Sequence, residues 1–132
     1  MMAIIANGGL KVPLRLVTAP PVLPQFVALK PPEQVITPVT ARQLQAMAEL
    51  VTTEGTGRSA MVESLGTAGK TGSAETGRYR EDGRAVIQAW FAGYVPVAHP
   101  ELVIVVLVEE GESGSSSAAP VFREIVEAIY RQ

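Results

Sequence analysis

The sequence predicts an α+β fold, with helices packed on an antiparallel three-stranded sheet. Two β-rich runs, "AVIQAWFAGYVPV" and "ELVIVVLVEE", are separated only by the short "AHP" turn region, the spacing of an antiparallel pair. Segments with helical periodicity lie on either side of that pair. A third stretch of strand character, around Lys70, completes the sheet. At 132 residues, 47% of them hydrophobic, the chain has the size of one domain and the means to bury a core.

The elements follow in order. "MMAIIANGG" has the ending of a helix, with Gly8 or Gly9 suited to the left-handed position past the last turn, but no capping residue at its start. It reads as a chain that begins inside an element, and without a basic flank it is no signal peptide. From Leu10 to Pro38, seven of the ten prolines interrupt β-favouring bits such as "LRLV" and "QFVAL". Proline removes a ladder donor, so this region is expected to be irregular and extended, with edge strands at most. Its apolar residues, Val12, Leu14 and Phe26 among them, argue that it packs on the body.

Thr40 and Gln43 have capping-box spacing, and Leu44, Met47, Ala48 and Val51 share a face, predicting a helix over 41–53 with Met47 in the core. Gly55 and Gly57 form turns in a loop expected to border the groove at Lys70. After the Lys70 strand, "TGRYREDGR" reads as a polar connector. Trp90 and Tyr94 share one face of the next strand and Phe91 takes the other, all as packing residues. "GESGSSS" reads as a flexible connector. The last helix has Ser117 as N-cap and Pro120 in its first turn, with Val121, Phe122, Ile125, Val126, Ile129 and Tyr130 as its buried stripe.

Composition removes several function classes. Eleven basic and thirteen acidic residues leave a net charge of -2, and the arginines are scattered, which argues against nucleic-acid binding. There is no cysteine for a disulfide or thiolate metal site. The single histidine, His99, sits in a turn with no second histidine to share a metal. The apolar run Leu102–Val108 is too short to span a bilayer as a helix. Glu75 and Glu109 are solvated or strand-end carboxylates with nothing to bring them together as an acid/base pair.

Chemistry concentrates in "SLGTAGKTGSAET", Ser64 to Thr76. A lysine between glycines suggests an anion, either a nucleotide phosphate or a substrate carboxylate. A phosphate loop, G-x-x-x-x-G-K-[ST], needs a glycine at position 64, which is Ser64, and a helix after it, which Gly72 and Gly77 deny. A carboxylate fits better. A strand carrying Lys70 and Thr71, followed by Gly72, lets an extended peptide lie along its edge while ammonium and hydroxyls bind the terminal anion.

"AGKTGSAE" resembles the third signature box, K-T-G, of the penicillin-recognising serine acyltransferases. "AWFAGYVP" and "HPELVIVVLVEEGESGSSSAAPVFREIVEAIY" resemble the closing strands and last helix of the transpeptidase domain of class B penicillin-binding proteins, and "AIIANGG", "VPLRLV" and "TARQLQAMAELVTTEGTGRSA" precede them in that family's order. The resemblance implies that Lys70, Thr71, Gly72 and Ser73 bind the carboxylate of a D-alanyl-D-alanine stem peptide or of a β-lactam. It implies a second task for Ser73, whose backbone N–H serves as an oxyanion-hole donor. Implied as well are no cofactor and an extracytoplasmic setting at the inner membrane of the cell envelope, with membrane contact only through an N-terminal anchor absent here.

Two boxes of that family are missing. No serine has lysine three positions later, so there is no S-x-x-K nucleophile, and the only asparagine, Asn7, lacks the serine of S-x-N. The expectation is therefore the C-terminal portion of a transpeptidase domain, catalytically silent alone, partnered by the N-terminal portion of the same domain. Elements supplied by that portion would otherwise cover an apolar edge of the sheet. A shortened, non-catalytic module that binds a peptide or protein partner is the alternative.

Overall fold

Caps, glycines and prolines set the element boundaries. The computed structural model describes residues 1–14 and 30–131. Its helices are α1 (Met2–Ala6), α2 (Pro38–Thr53) and α3 (Ala119–Tyr130), with a 3₁₀ turn at Arg58–Ala60 and a π-helical turn at Gly114–Ala118. Its strands are β1 (Leu10–Lys11), β2 (Glu33–Gln34), β3 (Ala68–Tyr79), β4 (Ala85–Val95) and β5 (Leu102–Gly111). The α+β class and the antiparallel sheet, ordered β3-β4-β5, agree with the sequence reading.

α1 gives way to Gly8 and Gly9 at φ 64° and 95°, the left-handed exit the glycine pair predicts. β1 and β2 pair as a two-stranded ribbon, Leu10 opposite Gln34. Most of "LRLV" and all of "QFVAL" lie outside the described residues.

α2 begins at Pro38, ahead of the expected Ala41. Thr37 is the cap, its Oγ1 accepting from the Thr40 N–H at 3.1 Å, and Pro38 sits in the first turn, where its missing N–H needs no partner. Met47 is not in the core but 63% exposed. Leu44, Ala48 and Val51 of the expected face are half-buried, and the inward side is centred on buried Ala41 and Thr52 with Gln45 half-buried beside them, because the two polar members find backbone acceptors. Gln45 Nε2 donates to the Ile5 carbonyl at 2.8 Å, and the Thr52 hydroxyl donates to the carbonyl of Thr67.

β3 runs on to Tyr79, so the "TGRY" expected in a connector is strand, paired with β4 through Tyr79 opposite Ala85. The tight turn at 80–84, closed by the Arg80 N–H on the Arg84 carbonyl at 2.8 Å, leaves no room for a longer connector.

Alternation gives the sheet two different faces. On one, Ala89, Phe91, Val95 and Val106 meet Ala118, Ala119, Phe122 and Val126, with the rings of Phe91 and Phe122 edge to face at 4.8 Å. α3 docks through small residues and a narrow line, so only Phe122 and Val126 of its expected stripe are buried. Val121, Ile125, Ile129 and Tyr130 lie on the shoulders and are exposed. On the other face, Tyr94 is buried as expected. Burial raises its pKa, and the nearby charge of Glu49 raises it further. On the same face Trp90, Val103, Val105 and Leu107 form an exposed apolar stripe that starts opposite Tyr94 at Val103 and ends where Trp90 pairs with Leu107. The uncovered apolar surface is thus a face of the sheet and extends beyond its edge.

The "GESGSSS" run is an ordered turn, contrary to expectation. Ser113 Oγ accepts from the Ser116 N–H at 3.1 Å and starts the π-helical turn, while Ser117 Oγ accepts from the Glu112 N–H at 3.0 Å. Ser113 therefore caps where Ser117 was expected to, because the helical path begins earlier, at Gly114. No helix among the described residues is long and apolar enough to cross a membrane.

Candidate functional site

Lys70, Thr71, Gly72 and Ser73 follow one another on β3, opposite Ala92, Phe91, Trp90 and Ala89 of β4. No strand among the described residues pairs with the other edge of β3. The four residues alternate. Lys70 and Gly72 project to the face of Trp90, while Thr71 and Ser73 project to the face of Phe91.

Lys70 is exposed, and its Nζ donates to the Thr71 carbonyl at 2.8 Å. One of its three donors is thereby engaged and two are free for a ligand.

Both hydroxyls are held from the helical layer. Thr71 Oγ1 lies 2.8 Å from Thr56 Oγ1, and Ser73 Oγ accepts from the Gly114 N–H at 3.2 Å. Thr56 belongs to the loop of Gly55 and Gly57, which therefore borders the strand at Thr71. Gly57 is buried there against Val51 and the Phe91 ring. Beside Thr71, the residues Glu54, Gly55, Thr56, Arg58, Ser59 and Ser115 line a recess of about 500 Å³.

The glycines of this segment differ in their reasons. A Cβ on Gly69 would stand 2.5 Å from Phe91 Cζ and 2.7 Å from the Ala92 carbonyl, so packing excludes one. A Cβ on Gly72 would meet only Trp90 Cβ, at 3.4 Å, an ordinary contact. Packing leaves the space at Gly72 free.

Thr56 and Gly114 escaped the sequence reading. The glycine-bounded "EGTGRS" loop was a usable signal for Thr56. For Gly114, the Gly/Ser composition pointed toward flexibility and concealed the contact. His99 is exposed in the β4–β5 loop, Glu75 and Glu109 are exposed, and the described residues contain no cluster suited to a metal.

An antiparallel sheet flanked by helices, with a lysine-hydroxyl-glycine-hydroxyl series on its open edge, defines the class as a penicillin-recognising transpeptidase domain. Residues 1–127 match the penicillin binding protein transpeptidase domain, and the chain belongs to that family. It is 35% identical to the penicillin-binding protein PbpB of Mycolicibacterium smegmatis over 95% of its own length and 37% identical to the stage V sporulation protein D of Bacillus subtilis over 71%. It spans 22% and 15% of those two proteins. Among solved structures, it superposes with TM-score 0.75 and 30% identity on a peptidoglycan glycosyltransferase from Burkholderia ambifaria, covering 97% of this chain and 37% of that one. Penicillin-binding protein 3 of Mycobacterium tuberculosis, solved in complex with ampicillin, gives 0.73 at 28% identity, covering 97% and 32%.

Proposed function

We propose that Lys70, Thr71, Gly72 and Ser73 form the carboxylate-binding wall of a peptidoglycan D,D-transpeptidase and that this chain is the C-terminal portion of that domain. One observation carries the reading. On an edge of β3 with which no strand among the described residues pairs, an ammonium and two hydroxyls fall within four consecutive residues around a glycine that packing does not require.

The terminal D-alanyl-D-alanine of a stem peptide lies along β3 as an added strand, its carboxylate on Lys70, Thr71 and Ser73. A serine Oγ from the N-terminal portion attacks the penultimate carbonyl carbon. The amide C–N bond breaks, terminal D-alanine leaves with a proton on its amine, and an ester remains. The amine of a second stem peptide then displaces the serine, forming the cross-link and returning a proton to Oγ. The backbone N–H of Ser73 is one oxyanion donor and the nucleophile's own N–H the other. A β-lactam presents the same pair of groups, a carboxylate and a reactive amide, and the ampicillin complex of the Mycobacterium tuberculosis relative supports its inclusion as a ligand. The apolar stripe of Trp90, Val103, Val105 and Leu107 is where the N-terminal portion packs. The family resemblance supports a setting for the whole protein in the cell envelope, on the extracytoplasmic side of the inner membrane.

A fluorescent penicillin tests this. Supplied with the N-terminal portion, the protein is expected to be acylated, and Lys70→Ala is expected to lower the rate about a hundredfold. No labelling of the completed protein sinks the proposal. The absence of S-x-x-K and S-x-N from the chain favours a second reading, a non-catalytic module that binds peptide along β3. Stem-peptide binding lost in Lys70→Ala, without acylation in the completed protein, is its signature.

A further inference from the structure

We infer that Gly114 is a positioning residue for Ser73, fixing its hydroxyl as an acceptor so that the hydroxyl proton is left to donate to a ligand carboxylate. The inference rests on the carboxylate reading of β3 proposed above and assigns a task to a turn outside it.

A backbone N–H can only donate, so across 3.2 Å the Ser73 Oγ must accept from Gly114. A serine hydroxyl has one proton and two lone pairs. With a lone pair engaged by Gly114, and no further hydrogen bond to the Ser73 side chain among the described residues, its proton is available to an acceptor at the strand edge. Thr71 differs, because its partner is the Thr56 hydroxyl and either oxygen can be the donor. Ser73 is thus the hydroxyl whose polarity the fold decides.

Only glycine brings the turn this close. A Cβ on Gly114 would run into the Trp90 carbonyl and stand 2.7 and 2.8 Å from the carbonyl oxygen and nitrogen of Gly72, all backbone atoms that cannot swing aside. Gly114 therefore rests flat on the Gly72–Trp90 backbone pair, beside the proposed carboxylate site. The turn that holds it is fixed at both ends. Ser113 caps it, and it ends at Ala118 and continues into Ala119, the first residue of α3, both fully buried in the core.

The test is amide NMR of the full chain, free and titrated with N-acetyl-D-alanyl-D-alanine. In the free chain, Ser73→Ala is expected to speed exchange of the Gly114 amide about tenfold, and Ser73→Thr, which keeps the acceptor, to restore protection. Ser73→Ala and Gly114→Ala are each expected to weaken the peptide about tenfold, and the double variant to weaken it no further, since both remove one oriented hydroxyl. An unchanged Gly114 amide in Ser73→Ala, or losses that multiply in the double variant, overturns the role of Gly114 and leaves the carboxylate reading standing. A wild-type chain whose β3 amides ignore the peptide overturns the carboxylate reading and this role with it. If Gly114→Ala fails to fold, the Ser73→Ala and Ser73→Thr amide readings decide alone.

Discussion

The two ends of β3 belong to one strand and have very different support. From Ala68 to Ser73 the strand keeps an unbroken register with β4, buries Ala68 and Gly69, and is gripped by Thr56 and Gly114. From Thr76 to Tyr79 it is exposed throughout, its register slips after Glu75, and Gly77 takes φ 77°. What holds this end is peripheral: the Thr76 hydroxyl on the Val86 carbonyl at 2.9 Å and an exposed Arg78–Glu110 pair at 3.5 Å. Pairing alone therefore does not make a strand a platform. The helical layer does, and the proposed site lies on the end it reaches.

The contrast breaks most completely at Phe91, whose fully buried ring lies under Gly57, Gly69 and Gly93 and against Phe122. Phe91→Ala is expected to cost about 3–5 kcal/mol in urea denaturation, enough to unfold a marginal domain. A loss under about 1 kcal/mol would mean that the layer does not support the strand. Gly69→Ala comes next. Its methyl has nowhere to go between the Phe91 ring and the Ala92 carbonyl, and the expected loss is about 1–3 kcal/mol, read in the same way.

These residues also mark how far the sequence was legible. The sheet and α3 could be read because β-branched runs and a 3.6 period record burial directly. The K-T-G strand could be read because its residue types are chemically unusual in that order. Three things resisted. Met47 satisfies the apolar pattern of α2 and is exposed, while Thr52 is buried and Gln45 half-buried because each bonds a backbone carbonyl, which a hydropathy pattern cannot register. "TGRY" reads as a connector because of Gly77 and the charged, turn-rich residues after it, and it is strand because β4 is opposite it, Tyr79 paired with Ala85. Gly114 looks like a linker residue, since the same missing side chain that frees a backbone also lets it pack against another.

Gly77 measures the unsupported end. Nothing lies within 4 Å of a Cβ built there, so Gly77→Ala pays only for its left-handed backbone, about 1 kcal/mol, and thermal unfolding should show it well below Gly69→Ala. A cost as large as that of Gly69→Ala would erase the difference between the two ends.

Gly72 has the smallest expected effect on stability and the most informative one. An added methyl meets Trp90 Cβ at 3.4 Å, ordinary contact, and alanine is the better strand former by about 0.5–1 kcal/mol. Gly72→Ala should therefore unfold at the wild-type temperature or slightly above it. The methyl nevertheless projects to the same face as Lys70, next to the proposed carboxylate contacts, so the affinity for N-acetyl-D-alanyl-D-alanine should fall about tenfold. A fold that tolerates the methyl and a ligand that does not would assign this glycine to recognition. Unchanged binding would return it to the same standing as Gly77, a glycine that only the backbone can explain.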